Sequence, residues 1–275
     1  MWPRVCVADR IIRPMKDWLS ISEGSAMRFI KGLYFWVVAF TVTIILFTLL
    51  SIAHAMATLR GRGADGRAAH KFAALWGRLM IYLMPGWSCE VDGKEYLPRD
   101  YQPMVIVANH ESMSDIWAIY FLGIQFRWLS KDAVFRIPVI GQAMRWSNYV
   151  SVDRSSRQSG IEALAESAKR IKQGLSMFFF PEGTRSLDGV IKPFKNGAFK
   201  LARDEGVSVL PIAIHGAGAM LPKHSWIPGR ARIKIKVLPP QPAPPADADL
   251  EAYGEAIRQQ IIGAHDSLVA AKADV

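Results

Sequence analysis

The chain has 275 residues, with 34 Lys and Arg against 24 Asp and Glu, a formal net charge of +10. That length holds one sizeable catalytic domain plus appendages, and the basic excess suits an anionic membrane face, nucleic acid or acidic substrates. No nucleic-acid motif, Gly-x-Ser-x-Gly elbow, Walker phosphate loop or His-Glu-x-x-His occurs, so those readings lack their signatures. Cys6 and Cys89 form neither a metal pattern nor a disulfide framework, which fits a reducing compartment and gives no expectation of a metal.

From Gly32 to Leu59 no Asp, Glu, Lys or Arg occurs over 28 residues. As one helix at about 1.5 Å per residue, that run exceeds the roughly 30 Å hydrocarbon thickness of a bilayer. Tyr34, Phe35 and Trp36 lie near one end, as interfacial aromatics do. Ala53-His54-Ala55 and Ala55-Met56-Ala57 resemble cleavage sites. A leader ending there would exceed fifty residues, against the usual roughly 15–30, so an uncleaved anchor is expected. Arg4, Arg10, Arg13, Lys16, Arg28 and Lys31 precede the run, and Arg60, Arg62, Arg67 and Lys71 follow it, which blurs orientation by the positive-inside rule. A turn over residues 61–66 leads to a second apolar segment, Ala68 to Met84. A single span and a helical hairpin dipped into one leaflet both fit.

Trp87–Val91 opens an alternating region. Met104–Ala108 is short, apolar and β-branched, and reads as a buried strand. Asn109-His110-Glu111-Ser112-Met113-Ser114-Asp115 follows, with Ser112 or Ser114 able to cap a helix over Ile116–Leu122. A turn into a helix start can bring His110 and Asp115 side by side. An imidazole then accepts a proton from an alcohol, and a carboxylate on its other nitrogen fixes the tautomer. By spacing alone, a helix-start Asp115 and a satisfied turn His110 stand ahead of the catalytic pair.

Ser155 or Ser156 caps a helix running to about Gln173. Met177–Phe180 reads as another buried strand, stopped by Pro181, and leads into Glu182-Gly183-Thr184-Arg185-Ser186. Gly183 permits a tight turn with close approach to a ligand, and the planar fork of Arg185 suits phosphate. A Glu182–Arg185 ion pair holding the turn is the competing reading. Asn196–Glu205 is a short helix, Val207–Ile214 and Arg232–Val237 are strands, and Pro239–Pro245 is a stiff linker. Leu250, Tyr253, Ile257, Ile261 and Leu268 keep the spacing of an amphipathic tail helix. Alternation of this kind implies an α/β fold with a mixed, mainly parallel sheet flanked by helices. The expected division is 1–86 membrane-anchoring helices, 87–238 α/β domain, and 239–275 linker and tail helix.

With both blocks in view, the chain resembles the glycerolipid acyltransferases, specifically the 1-acylglycerol-3-phosphate acyltransferases. Four motifs of that family stand in order: Asn109–Asp115, Tyr149–Arg154, Phe180–Ser186 and Val209–Ile214. Ser130-Lys131, Ile137-Pro138, Gly141 and Pro193–Ala198 fit the intervening pattern, and the similarity covers roughly Leu97 to Gly216. The first and third motifs are specific in combination; the second and fourth are weak alone. Leu210 departs mildly from a commoner valine.

The resemblance implies transfer of a fatty acyl group from an acyl thioester, acyl-CoA or acyl-carrier protein, to the 2-hydroxyl of lysophosphatidic acid, giving phosphatidic acid. It implies His110 as base and Asp115 as its partner. Lys131, Arg154, Glu182, Gly183, Thr184, Arg185 and Pro211 are implied to bind substrate. No cofactor, metal or nucleic acid is expected. Membrane lipid is an expected partner, and the expected location is the inner (cytoplasmic) membrane, catalytic domain on the cytoplasmic side. The rival expectations are a related enzyme with another lysolipid or glycerol 3-phosphate as acceptor, and a non-catalytic membrane scaffold.

Overall fold

The computed structural model describes residues 25–60, 65–98, 102–186, 189–221 and 225–273. The basic residues at 4–16, Cys6, Arg62 and most of the 61–66 turn lie outside them. Helix α1 (Ser25–Leu59) and helix α2 (Arg67–Tyr82) come first, then strand β1 (Trp87–Asp92) and strand β2 (Val105–Ala108). Helix α3 (Asp115–Ile119), strand β3 (Phe126–Lys131), helices α4 (Asp132–Phe135) and α5 (Ile140–Trp146) and strand β4 (Val150–Val152) follow. Helix α6 (Arg157–Lys172), strand β5 (Ser176–Phe179), helix α7 (Gly197–Glu205), strands β6 (Val209–His215) and β7 (Ala231–Val237) and helix α8 (Leu250–Ala273) complete the order.

The seven strands form one sheet in the order β1-β7-β6-β2-β5-β3-β4. All neighbours are parallel except β6 and β7. The sheet is therefore mixed and mainly parallel, as expected from the alternation. β2 and β5 are apolar throughout and fully buried because both faces of the sheet are covered. One face carries Ile106, Phe178, Leu210 and Ile212 against α2 and α3; the other carries Val105, Val107, Met177 and Val209 against α6, α7 and α8.

Some local expectations change. Ser156 is the cap of α6, its hydroxyl accepting from the Ser159 N–H at 3.2 Å. Neither Ser112 nor Ser114 caps α3 by its side chain, and that helix gives way to a 3₁₀ turn over Tyr120–Leu122. β3 and β4, which were not singled out as strands, extend the parallel sheet.

α1 and α2 run antiparallel: the Tyr34 hydroxyl donates to the Leu83 carbonyl at 3.0 Å, and Trp76 Nε1 donates to Thr43 Oγ1 at 2.9 Å. The core continues across position 86. Phe35, Met80 and Ile81 are buried in the same cluster as the sheet residues, and Phe35 packs on Trp87 with ring centroids 5.7 Å apart. Gly77 lets α2 approach Tyr120 so closely that a Cβ there would stand 2.4 Å from the Tyr120 ring. The far side of α1 is apolar and exposed, including Phe29, Leu33, Val37, Phe40, Ile44 and Ile52. Residues 26–59 are long and apolar enough to cross a membrane.

Candidate active site

β2, β5, β3 and β4 are parallel, so their C-terminal ends gather along one edge of the sheet, where ligand sites of such folds form. The blocks 109–115 and 180–186, Lys131 and Arg154 all leave that edge.

Asn109 fixes the first loop. Its side-chain amide donates to the Ile214 carbonyl at 2.9 Å, and its Oδ1 accepts from the Ile214 N–H at 2.8 Å. This buried two-way bond ties the end of β2 to β6 beyond their ladder. His110 then stacks on Phe180, with ring centroids 3.9 Å apart and planes 11° from parallel. His110 Nδ1 lies 2.6 Å from Asp115 Oδ2. The same oxygen accepts from the N–H groups of Glu111 at 2.8 Å and Ser112 at 2.9 Å, so the carboxylate folds the loop back on itself. Asp115 is fully buried, and its Oδ1 has no hydrogen-bond partner among the described residues. Burial pushes its carboxyl pKa up, opposed by His110 and the Ser112 N–H. With Nδ1 committed to Asp115, Nε2 is the nitrogen of His110 able to take a proton from a ligand.

The second loop grips the first by its backbone. The His110 N–H donates to Glu182 Oε1 at 2.7 Å, and the His110 carbonyl accepts from the Ser186 N–H at 2.8 Å. Glu182 Oε2 accepts from the Lys192 N–H at 3.0 Å. Glu182 was expected to help position the acceptor. It is buried, each oxygen engaged by a main-chain donor, and makes no ion pair with Arg185 among the described residues, so any positioning it does runs through the His110 loop. Burial raises its pKa despite those two bonds.

Gly183 takes φ of 73°, and a Cβ there would meet Lys195 Cε at 2.9 Å. The Arg154 guanidinium donates to the Gly183 carbonyl, joining the second motif to the third. Thr184 and Arg185 are exposed on the turn, and Lys192 Nζ donates to the Arg185 carbonyl at 3.3 Å. Lys131 is exposed at the end of β3, level with Val152 of β4. Arg154, Arg185, Lys192 and Lys195 thus surround the turn next to His110. Lys192 and Lys195 are additions to the expected set; Lys195 falls within the Pro193–Ala198 pattern and Lys192 directly precedes it.

Pro211 is not at the mouth of the site. It lies level with Val107 in the middle of the sheet, three residues before His110 in register, on the face shared by Val209 and Ala213. Its carbonyl accepts from the Leu238 N–H at 3.0 Å. Its missing N–H therefore falls between the last rung of the β6–β7 ladder and the Val209–Gln241 bridge, where the register shifts by one residue. Pro211 is a packing residue.

The residues matching the "Acyltransferase" family model are 88–215. A chloroplastic 1-acyl-sn-glycerol-3-phosphate acyltransferase of Brassica napus is 39% identical over 197 residues, 71% of this chain and 56% of that protein. A 1-acyl-sn-glycerol-3-phosphate acyltransferase of Pseudomonas aeruginosa is 33% identical over 202 residues, 69% of this chain and 76% of that protein. The crystal structure of the 1-acyl-sn-glycerophosphate acyltransferase PlsC of Thermotoga maritima superposes with a TM-score of 0.71 at 25% identity, covering 88% of this chain and 96% of that one. The chain spans only about half the length of the plant relatives it matches, at 56% and 54%. Extent, motif order and fold agree: the chain belongs to the acyltransferase family of the 1-acyl-sn-glycerol-3-phosphate acyltransferases.

Proposed function

We propose that the protein transfers a fatty acyl group from an acyl thioester to the sn-2 hydroxyl of 1-acylglycerol 3-phosphate, forming phosphatidic acid. The observation that carries this reading is the His110–Asp115 pair, Nε2 unengaged, beside a turn ringed by Arg154, Arg185, Lys192 and Lys195. The proteins it resembles, in Pseudomonas aeruginosa and Thermotoga maritima, bear that activity in their names.

In this mechanism His110 Nε2 removes the proton of the acceptor hydroxyl as the oxygen attacks the thioester carbonyl. The new C–O bond forms and the C–S bond breaks. The imidazolium returns its proton to the departing thiolate, so the base is restored. Asp115 holds the tautomer and stabilises the cation. General base action of this kind contributes about 10²–10⁴-fold in rate. Arg185, with Arg154 and Lys131, binds the phosphate monoester, since a guanidinium fork matches its oxygens. Thr184 and the Gly183 main chain border the same anion. The donor is acyl-CoA or acyl-carrier protein; the reaction itself requires no cofactor because the thioester is already activated.

The exposed face of α1 brings the site to lipid. α1 touches the α/β domain near both ends: Phe29 packs on Trp226 at 5.5 Å between centroids, and His54 stacks on Trp146 at 4.5 Å. Those residues are 25 apart, about 37 Å of helix, so both ends of α1 lie on the same side as the domain. This favours the one-leaflet hairpin over a single span. The location proposed with this activity is the cytoplasmic face of the inner membrane.

The test is purified protein with lysophosphatidic acid, lyso-ornithine lipid or glycerol 3-phosphate as acceptor, and acyl-CoA or acyl-carrier protein as donor. Phosphatidic acid formed only from lysophosphatidic acid supports the reading. Preference for another acceptor moves the protein to a sister activity, and no transfer at all would leave it a scaffold.

A further inference from the structure

Next to the site, Glu111, His215 and His265 converge from three separate parts of the chain: the loop after β2, the last residue of β6 and the penultimate turns of α8. His265 Nε2 lies 2.9 Å from Glu111 Oε1, His215 Nδ1 lies 3.5 Å from the same oxygen, and the two ring nitrogens are 3.4 Å apart. Three donor atoms therefore stand at the corners of a nearly equilateral triangle. Four ligands in tetrahedral array at zinc distances of about 2.0–2.1 Å are separated by roughly 3.3–3.4 Å. Two edges match that separation and the third, Glu111 to His265 at 2.9 Å, is shorter, so an ion slightly out of the plane reaches all three atoms once that one contact opens by a few tenths of an ångström.

The surroundings favour such an ion. Glu111 Oε2 is held by the Gly216 N–H at 3.1 Å, which turns Oε1 toward the imidazoles. The two rings stand at 80° to each other with centroids 5.1 Å apart, edge to face rather than stacked. His265 Nδ1 lies 3.7 Å from Asp266 Oδ1, on the side where a carboxylate supports a metal-bound imidazole. The side chains of His215, Glu111 and His265 are 18%, 14% and 11% exposed, enough to admit an ion and to leave a fourth position for water. Two neutral imidazoles and one carboxylate suit a late first-row divalent cation such as zinc; magnesium and calcium prefer all-oxygen sets.

We propose that Glu111, His215 and His265 form a zinc site that fastens the C-terminal helix to the loop carrying His110. The proposal stands on these donor atoms alone and does not depend on the acyl acceptor. Its role is structural: the ion bonds the residue next to His110, not His110 itself.

The experiment uses the full chain, free of affinity tag, stripped with chelator and titrated with zinc chloride by calorimetry, with metal content measured after gel filtration. One zinc per chain at micromolar or tighter affinity is expected. His265→Gln and His215→Gln should each weaken binding at least about a hundredfold, since loss even of an outer-sphere partner costs about 10–100-fold. Zinc should raise the melting temperature of the wild type and not of His265→Gln. Cobalt(II) bound to the wild type should give the strong visible bands of four- or five-coordination, a reading that needs no variant to fold. The proposal is overturned by the absence of stoichiometric zinc at tens of micromolar, by an unchanged affinity in His265→Gln, or by a six-coordinate cobalt spectrum.

Discussion

Glu182 holds His110 by its main chain rather than by its ring: the His110 N–H donates to Glu182 Oε1 at 2.7 Å, and the other oxygen takes the Lys192 N–H at 3.0 Å. The carboxylate thus locks the loop after β2 to the loop after β5, and the imidazole can only keep its place over Phe180 while that lock is closed. Glu182→Gln puts an NH₂ group against one of two buried N–H donors. A buried donor left unsatisfied costs about 1–3 kcal/mol, so the melting temperature should fall. kcat should fall with it while the acceptor KM changes little. A raised acceptor KM with an unchanged melting temperature would instead make Glu182 a direct substrate contact.

Arg185 is exposed on the Gly183 turn and free of Glu182, which leaves its fork to an incoming anion. Arg185→Ala should weaken use of the acceptor by about 1.5–3 kcal/mol, ten- to more than a hundredfold, with the thioester KM little changed. Arg185→Lys should recover only part, because an ammonium lacks the fork. Separate Michaelis constants for the two substrates check this. Equal loss for both would move the phosphate to Arg154 and Lys131.

At Gly183, left-handed φ and the nearness of Lys195 act together. Gly183→Ala should destabilise the fold by about 1–2 kcal/mol from the backbone alone. Lys195 must also shift, so acceptor affinity should fall in parallel. Thermal melting and the acceptor KM test both parts; an unaffected variant would show that the turn relaxes freely.

The stability of the protein should decline on acidification because of His70, which lies in α2 and is buried. Its Nδ1 accepts from the Tyr149 hydroxyl at 2.9 Å and its Nε2–H donates to the Ile124 carbonyl at 3.1 Å, a neutral tautomer with both nitrogens used. Burial, then the nearby Arg127, lowers its pKa from 6.5 to about 3. Between those values the unfolded chain binds a proton that the folded chain refuses. The His70 contribution is therefore complete above pH 6.5 and lost as pH falls toward about 3. The slope reaches at most about 1.4 kcal/mol per pH unit. Denaturant melts from pH 7 to 5 should show this slope in the wild type and a shallower one in His70→Gln. Equal slopes would remove His70 as the cause.

Much of this was legible in the residues. Short apolar runs, β-branched in β2 and aromatic in β5, announce the two strands, and the polar blocks after them have to emerge at one sheet edge once both strands are parallel. The His110–Asp115 pair was legible as an option, because five positions across a turn permit contact without requiring it. What decides between the readings is the pair of N–H groups from Glu111 and Ser112 on Asp115 Oδ2, a loop shape no spacing encodes. Glu182 was carried over to the acceptor from the third motif of the family it resembles; its burial under residue 192 depends on a loop ten positions downstream. Pro211 was expected to line the site more as packing than as chemistry, and the register that buries it level with Val107 is set by pairing the motif does not encode. The Glu111–His265 contact joins residues 154 positions apart and carries no local signal at all. α1 reads as a membrane segment by composition, yet its buried Phe35 belongs to the core built on the sheet, and one aromatic in an apolar run gives no sign of which face it serves.

Initial acyl-transfer rates of wild type and His110→Ala, with lysophosphatidic acid and a fatty acyl thioester, bear most directly on His110 as the base. Wild type should form phosphatidic acid, and His110→Ala, folded by its melting temperature, should lose at least about 10²-fold in turnover with the acceptor KM nearly unchanged. A folded His110→Ala enzyme that keeps more than about a tenth of wild-type turnover would contradict the assignment, because a positioned general base contributes about 10²–10⁴-fold.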